Sequence, residues 1–191
     1  MRRNCNRPKG VTLVELILAM ILLSVVIMTG LSMEMGLRRL FHTSDQEAEL
    51  MGEAGAILTF VSRKVQSSFG NQALLPNPIT SVTQGGQYVR YRIRQDLNHN
   101  GRWDPPFDDW DEFTYCINWG GLRNQLLYGR NNLTIMVLSD NVVAFGISNV
   151  TADGCSLISV TLRNDPTSAA NATNPQLSLN TTAQVRGLSL R

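Results

Sequence analysis

Glu15 is the only charged residue between Lys9 and Glu34, and it lies near the start of the stretch VTLVELILAMILLSVVIMTGLSM, residues 11–33. A carboxylate at membrane depth costs roughly 2.5–3.5 kcal/mol on insertion scales, so it requires a partner or a task. The chemistry open to it there is ion pairing or hydrogen bonding with a group at the same depth. Upstream, the leader MRRNCNRPKG carries Arg2, Arg3, Arg7 and Lys9 and no acid.

A second chemical candidate is DLNHNGRWDPPFDDWDE, residues 96–112. Asp96, Asn98, Asn100 and Asp104 take the first, third, fifth and ninth places of a calcium loop, with Gly101 sixth and the Arg102 carbonyl seventh. The twelfth place is Phe107, where such a loop needs a bidentate glutamate; Asp108, Asp109 or Asp111 is the candidate replacement after the bend at Pro105-Pro106. A bound calcium would be structural. An Asn100-Gly101 turn with solvated acids accounts for the same residues. Cys116 and Cys155 form either a disulfide, if exported, or two buried thiols. His42 and His99 lie far apart, and no nucleophile elbow or phosphate loop is present, so catalysis is not expected.

The elements that carry these residues begin with a helix. Residues 11–33 are long enough, at about 1.5 Å per residue, to cross a hydrocarbon core of ~30 Å. A cleaved secretory signal would have a shorter apolar core and a small-x-small site. The basic leader places the N-terminus in the cytoplasm and the remainder outside it. Of the 17 Lys and Arg against 15 Asp and Glu, the leader holds four of the bases, so 13 remain against 15 acids. That net negative remainder argues against nucleic acid as a partner, and Arg90, Arg92 and Arg94 read as a strand face balanced by Glu112.

The helix is expected to run on without proline to Gln66, with apolar residues at helical spacing from Leu37 to Val65. Residues 67–87 read as a connection. Alternation then predicts strands at 88–94, 112–118, 125–128, 132–138, 142–150, 155–163 and, weakly, 182–190. The tract NDPTSAANATNPQ, 164–176, is expected to be a mobile loop. The fold class is α+β: a long N-terminal helix, transmembrane in its first half and amphipathic in its second, packed on an antiparallel sheet domain.

Gly10 followed by Val-Thr-Leu-Val-Glu-Leu resembles the signal sequence of type IV prepilins and type II secretion pseudopilins, whose helix carries glutamate as its fifth residue. The resemblance implies cleavage after Gly10 by a prepilin peptidase and N-methylation of Val11. The new amino group of Val11 would then sit at the depth of Glu15, and a neighbouring subunit could bring the two together. Val11 departs from the phenylalanine more usual there. The order of the later segments is similar to J-type minor pseudopilins and W-type minor pilins.

The expected organisation is a cleaved leader (1–10), a membrane and polymerisation helix (11–33), its periplasmic continuation (34–68) and a β-rich domain (69–191). The resemblance implies a structural subunit of the bacterial inner membrane that initiates or caps a pilus or pseudopilus. Its implied partners are other minor pilins or pseudopilins, the major subunit, the prepilin peptidase and methyltransferase, the inner-membrane assembly platform and membrane lipid. A filament-tip binding module and a signal-anchored periplasmic enzyme are the alternatives.

Overall fold

The computed structural model describes residues 12–69, 77–97, 109–151, 154–171 and 173–185. The chain divides into two compact units, Met1–His42 and Thr43–Arg191. One unbroken helix, α1 (Leu13–Gln66, 54 residues), begins in the first and ends in the second. In the first unit its large apolar side chains are all exposed, from Leu13 at 76% to Phe41 at 66%.

In the second unit the helix buries Leu50, Ala54, Ile57, Leu58, Val61 and Val65. Steps of four, three, one, three and four residues keep this stripe on one face. Each buried Leu, Ile or Val side chain contributes about 1.5–3 kcal/mol. Phe60 extends the contact edge-on to Phe113 and Tyr128, with ring centroids at 6.1 and 5.1 Å. The helix end is fastened from outside: Gln95 Nε2 donates to the Lys64 carbonyl at 2.9 Å, and the Ser67 hydroxyl donates to Gln95 Oε1 at 2.9 Å. The terminal carbonyl of Lys64, which also accepts from the Ser67 hydroxyl at 3.0 Å, is thereby satisfied from outside the helix.

Among the described residues eight strands follow: β1 (Ile79–Gln84), β2 (Tyr88–Gln95), β3 (Asp109–Cys116), β4 (Gln125–Arg130), β5 (Leu133–Ser139), β6 (Val142–Ile147), β7 (Cys155–Arg163) and β8 (Gln176–Gln184). They form two antiparallel meanders, β1-β2-β3-β4-β5 and β6-β7-β8, in place of the single sheet expected. Phe145 of β6 joins the sheets through Phe113 and Tyr91, at 6.2 and 5.6 Å between centroids. The α+β layout is as expected from sequence.

Four expectations change. The connection 67–87 contains β1, an edge strand paired in register with β2 from Ile79↔Ile93 to Gln84↔Tyr88. β3 is buried on both faces, because it is the central strand: Glu112, Thr114 and Cys116 are as enclosed as Phe113 and Tyr115. The tract 164–176 is organised by its own side chains. Asp165 accepts from the Thr167 amide at 3.0 Å and from the Thr167 and Ser168 hydroxyls. Buried Asn174 accepts from the Asp165 amide at 2.8 Å and donates to the carbonyls of Asp165 and Ala169. The last strand starts at Gln176, six residues earlier than expected from the sequence.

Candidate functional site

Glu15 is held by Thr12. The Thr12 amide and hydroxyl both donate to Glu15 Oε2 at 3.0 Å, and the Glu15 amide donates to Thr12 Oγ1 at 3.4 Å. Thr12 precedes the first helical residue and Glu15 is the third, so the pair is a reciprocal capping box that satisfies two helix-terminal donors. The carboxylate also lies at the positive end of the helix dipole. Beyond it, Thr29 and Ser32 return their hydroxyls to carbonyls one turn back, leaving the exposed face apolar. The segment is long and apolar enough to cross a membrane, and none of its apolar window is buried within the chain. A core helix of a soluble domain would be mostly covered.

Residues 5–31 match the family model of the prokaryotic N-terminal methylation motif. No curated protein and no solved structure matches this chain. The motif supports a type IV pilin-like chain that is processed at its N-terminus, and with the apolar helix it fits a single-pass, membrane-anchored protein. Gly10 and Val11, the candidate processing residues, lie outside the described residues. Thr12 was not singled out from the sequence; the spacing T-x-x-E ahead of an apolar run was the available signal.

In the second unit, adjacent carboxylates of β3 serve opposite faces. Asp111 is fully buried and meets Lys64 Nζ at 3.0 Å and Arg130 Nε at 3.2 Å, and it accepts from the Tyr128 hydroxyl at 2.7 Å. Burial alone would lower the Lys64 pKa, but Tyr128 and Asp111 outweigh it and the pKa is raised. Glu112 meets Arg92 at 2.8 Å and Arg90 at 3.7 Å, and it accepts from the Asn132 amide at 3.0 Å. Asn132 Oδ1 accepts from the same two guanidinium groups. Asn131 and Asn132 reach these positions by taking left-handed backbone at φ 50° and 67°. Arg94 stacks over Trp110, 5.0 Å from the ring centroid. The arginines of β2 are thus internally engaged, in keeping with their reading as a balanced strand face.

Of the candidate calcium residues, Asp96 is described, whereas Asn98, Asn100, Arg102, Asp104 and Asp108 lie outside the described residues. The two of the three replacement candidates that are described have other partners: Asp111 is committed to Lys64 and Arg130, and Asp109 accepts from the Asn131 side chain. Among the described residues no three His, Cys, Asp or Glu side chains gather as a metal site. The Cys116–Cys155 disulfide is not realised. Cys116 is buried at the end of β3, opposite Gln125, while Cys155 opens β7 of the other sheet, opposite Gln184. Burial raises the Cys116 thiol pKa.

Proposed function

We propose that this chain is a minor pilin or pseudopilin. It is cut by a prepilin peptidase after Gly10, methylated on Val11, and joins other pilin-like subunits to initiate or cap a pilus or pseudopilus. The basic leader is cytoplasmic and the Thr43–Arg191 unit periplasmic. The role is structural, with no reaction assigned to the chain. The observation that carries this reading is the methylation motif at 5–31 running directly into an exposed apolar helix that contains one carboxylate.

The physical argument concerns what remains unsatisfied. Thr12 gives Glu15 two hydrogen bonds but no countercharge. After cleavage the amino group of Val11 supplies a cation near the same depth, and each charge alone is costly in lipid. In parallel helices offset by a small axial step, the carboxylate of one subunit meets the amino terminus of the next. The cost of the mismatched state then selects the stagger, a registry role for a buried polar group. Glu15→Val should insert in the membrane at wild-type levels yet fail to enter filaments sheared from cells. Wild-type recovery of that variant in the filament fraction would refute the pairing.

A further inference from the structure

We propose that β5 is a self-association surface on which a second copy of this chain packs about a two-fold axis, strands antiparallel. β5 is the outer strand of the larger sheet, and its sequence LTIMVLS contains no charge, proline or glycine. Leu133, Ile135, Met136 and Val137 are exposed by 72, 58, 45 and 50%. Sheet edges are ordinarily blunted by charge. The opposite edge, β1, is polar apart from Ile79 and Val82, and β8 alternates its leucines with Ser, Asn, Thr and Gln.

The register of β5 on β4 shifts twice, between Leu126/Leu127 and between Tyr128/Gly129. Five consecutive residues, Leu133 to Val137, are exposed, so the strand is uncovered on both faces, and three of them in a row, Ile135, Met136 and Val137, are apolar. The register shifts bend the edge away from open-ended ladder extension, leaving side-chain packing as the mode of contact. An uncharged strand accepts its own image across a two-fold axis, because no like charges oppose. The antiparallel approach also lays the Arg130 end of one strand beside the exposed Asp140 end of the other, which are opposite in sign.

Four such side chains expose apolar surface of the order of the largest patch on an ordinary monomer, roughly 300–600 Å², a size that is often functional. That is below the ~800 Å² per partner of a standard interface. The contact is therefore weak between free molecules and effective between copies confined to one membrane, where local concentration is high. This last step rests on the proposed anchoring.

The test is oxidative cross-linking in membranes of the full chain bearing Met136→Cys, with Cys5 and Cys155 changed to serine. A disulfide-linked homodimer is expected, and little or none from Ser81→Cys on the β1 edge. Adding Ile135→Lys or Ile135→Glu should abolish the dimer, and co-expressing the Lys and Glu chains should restore it. Equal cross-linking at the two edges, no dimer, insensitivity to the Ile135 changes, or a cross-link to a different protein alone would overturn the proposal. So would protection of the thiol introduced by Met136→Cys from a water-soluble maleimide by lipid in the monomer. Fractionation of the same cells reads anchoring separately, so loss of the dimer from chains in the membrane fraction counts against this contact alone.

Discussion

Replacing Asp111 by asparagine removes a charge without changing shape, and the structure sets the size of the loss. The side chain is fully buried between Lys64 at 3.0 Å and Arg130 at 3.2 Å. Breaking a buried pair from one side costs about 3–5 kcal/mol, chiefly from the charge left behind. Here the cations keep 25 and 36% of their side-chain exposure, so water recovers part of their solvation. Asparagine also keeps an acceptor for Tyr128. The loss should therefore fall at the lower end, about 3 kcal/mol. Glu34→Gln, which breaks the exposed pair with Arg38 in the same helix, should cost no more than about 0.5 kcal/mol. Urea unfolding of the full chain in detergent, followed by tryptophan fluorescence, reads the difference. With a slope of about 1–3 kcal/mol per M, the Asp111 midpoint should fall by about 1–3 M. Lys64→Met combined with Asp111→Leu should recover part of that loss, since apolar partners of similar volume need no solvation. A midpoint for Asp111→Asn no lower than that for Glu34→Gln would refute the claim that this cluster ties the end of α1 to the sheet.

Asn174→Leu should release the 164–175 segment, because it removes three hydrogen bonds from a buried side chain. A loss of about 1–3 kcal/mol and faster amide exchange at Asp165 and Thr167 are expected, and unchanged exchange would contradict the reading. Alkaline pH should destabilise the second unit. Burial raises Cys116 above its ordinary 9.0 and Tyr91 above its ordinary 10.0, and burial with the neighbouring Cys116 raises Tyr115. Each holds its proton in the folded state after the unfolded chain has lost it, so stability falls as pH climbs above 9.0. The Lys64 contribution, from a raised pKa, is complete below 10.5 and is lost as pH rises through the folded value. Cys116→Ala should flatten the slope of urea midpoints between the ordinary thiol and phenol values, 9.0 and 10.0, and an unchanged slope would contradict this account.

The parts of the fold set by local pattern were legible in the sequence. The unbroken helix to Gln66 follows from hydropathy, helical spacing and the absence of proline; within it the buried stripe starts at Leu50, and Met51 stays exposed. β1 was hidden because ITSVTQ at a sheet edge buries one residue and otherwise looks like a loop. The first part of β8 was hidden because its exposed side is wholly polar, Gln176, Ser178, Asn180, Thr182 and Gln184, and reads as loop. The Arg92–Glu112 pair across β2 and β3 was expected, whereas Lys64 with Asp111 and Gln95 with the end of α1 depend on meetings remote in sequence. No periodicity encodes those meetings; they follow from β3 lying central in the sheet. The capping of Glu15, by contrast, is local and was present in T-x-x-E. The candidate loop at 98–108 lies outside the described residues.

The most direct test of the central claim is the mass of the mature N-terminus. The chain, isolated from membranes of cells that contain a prepilin peptidase, should begin at Val11 and carry one methyl group on its amino nitrogen. Gly10→Val should retain Met1 and the basic leader. A wild-type chain that keeps residues 1–10 in the presence of active peptidase, or that is cut elsewhere, would contradict the account.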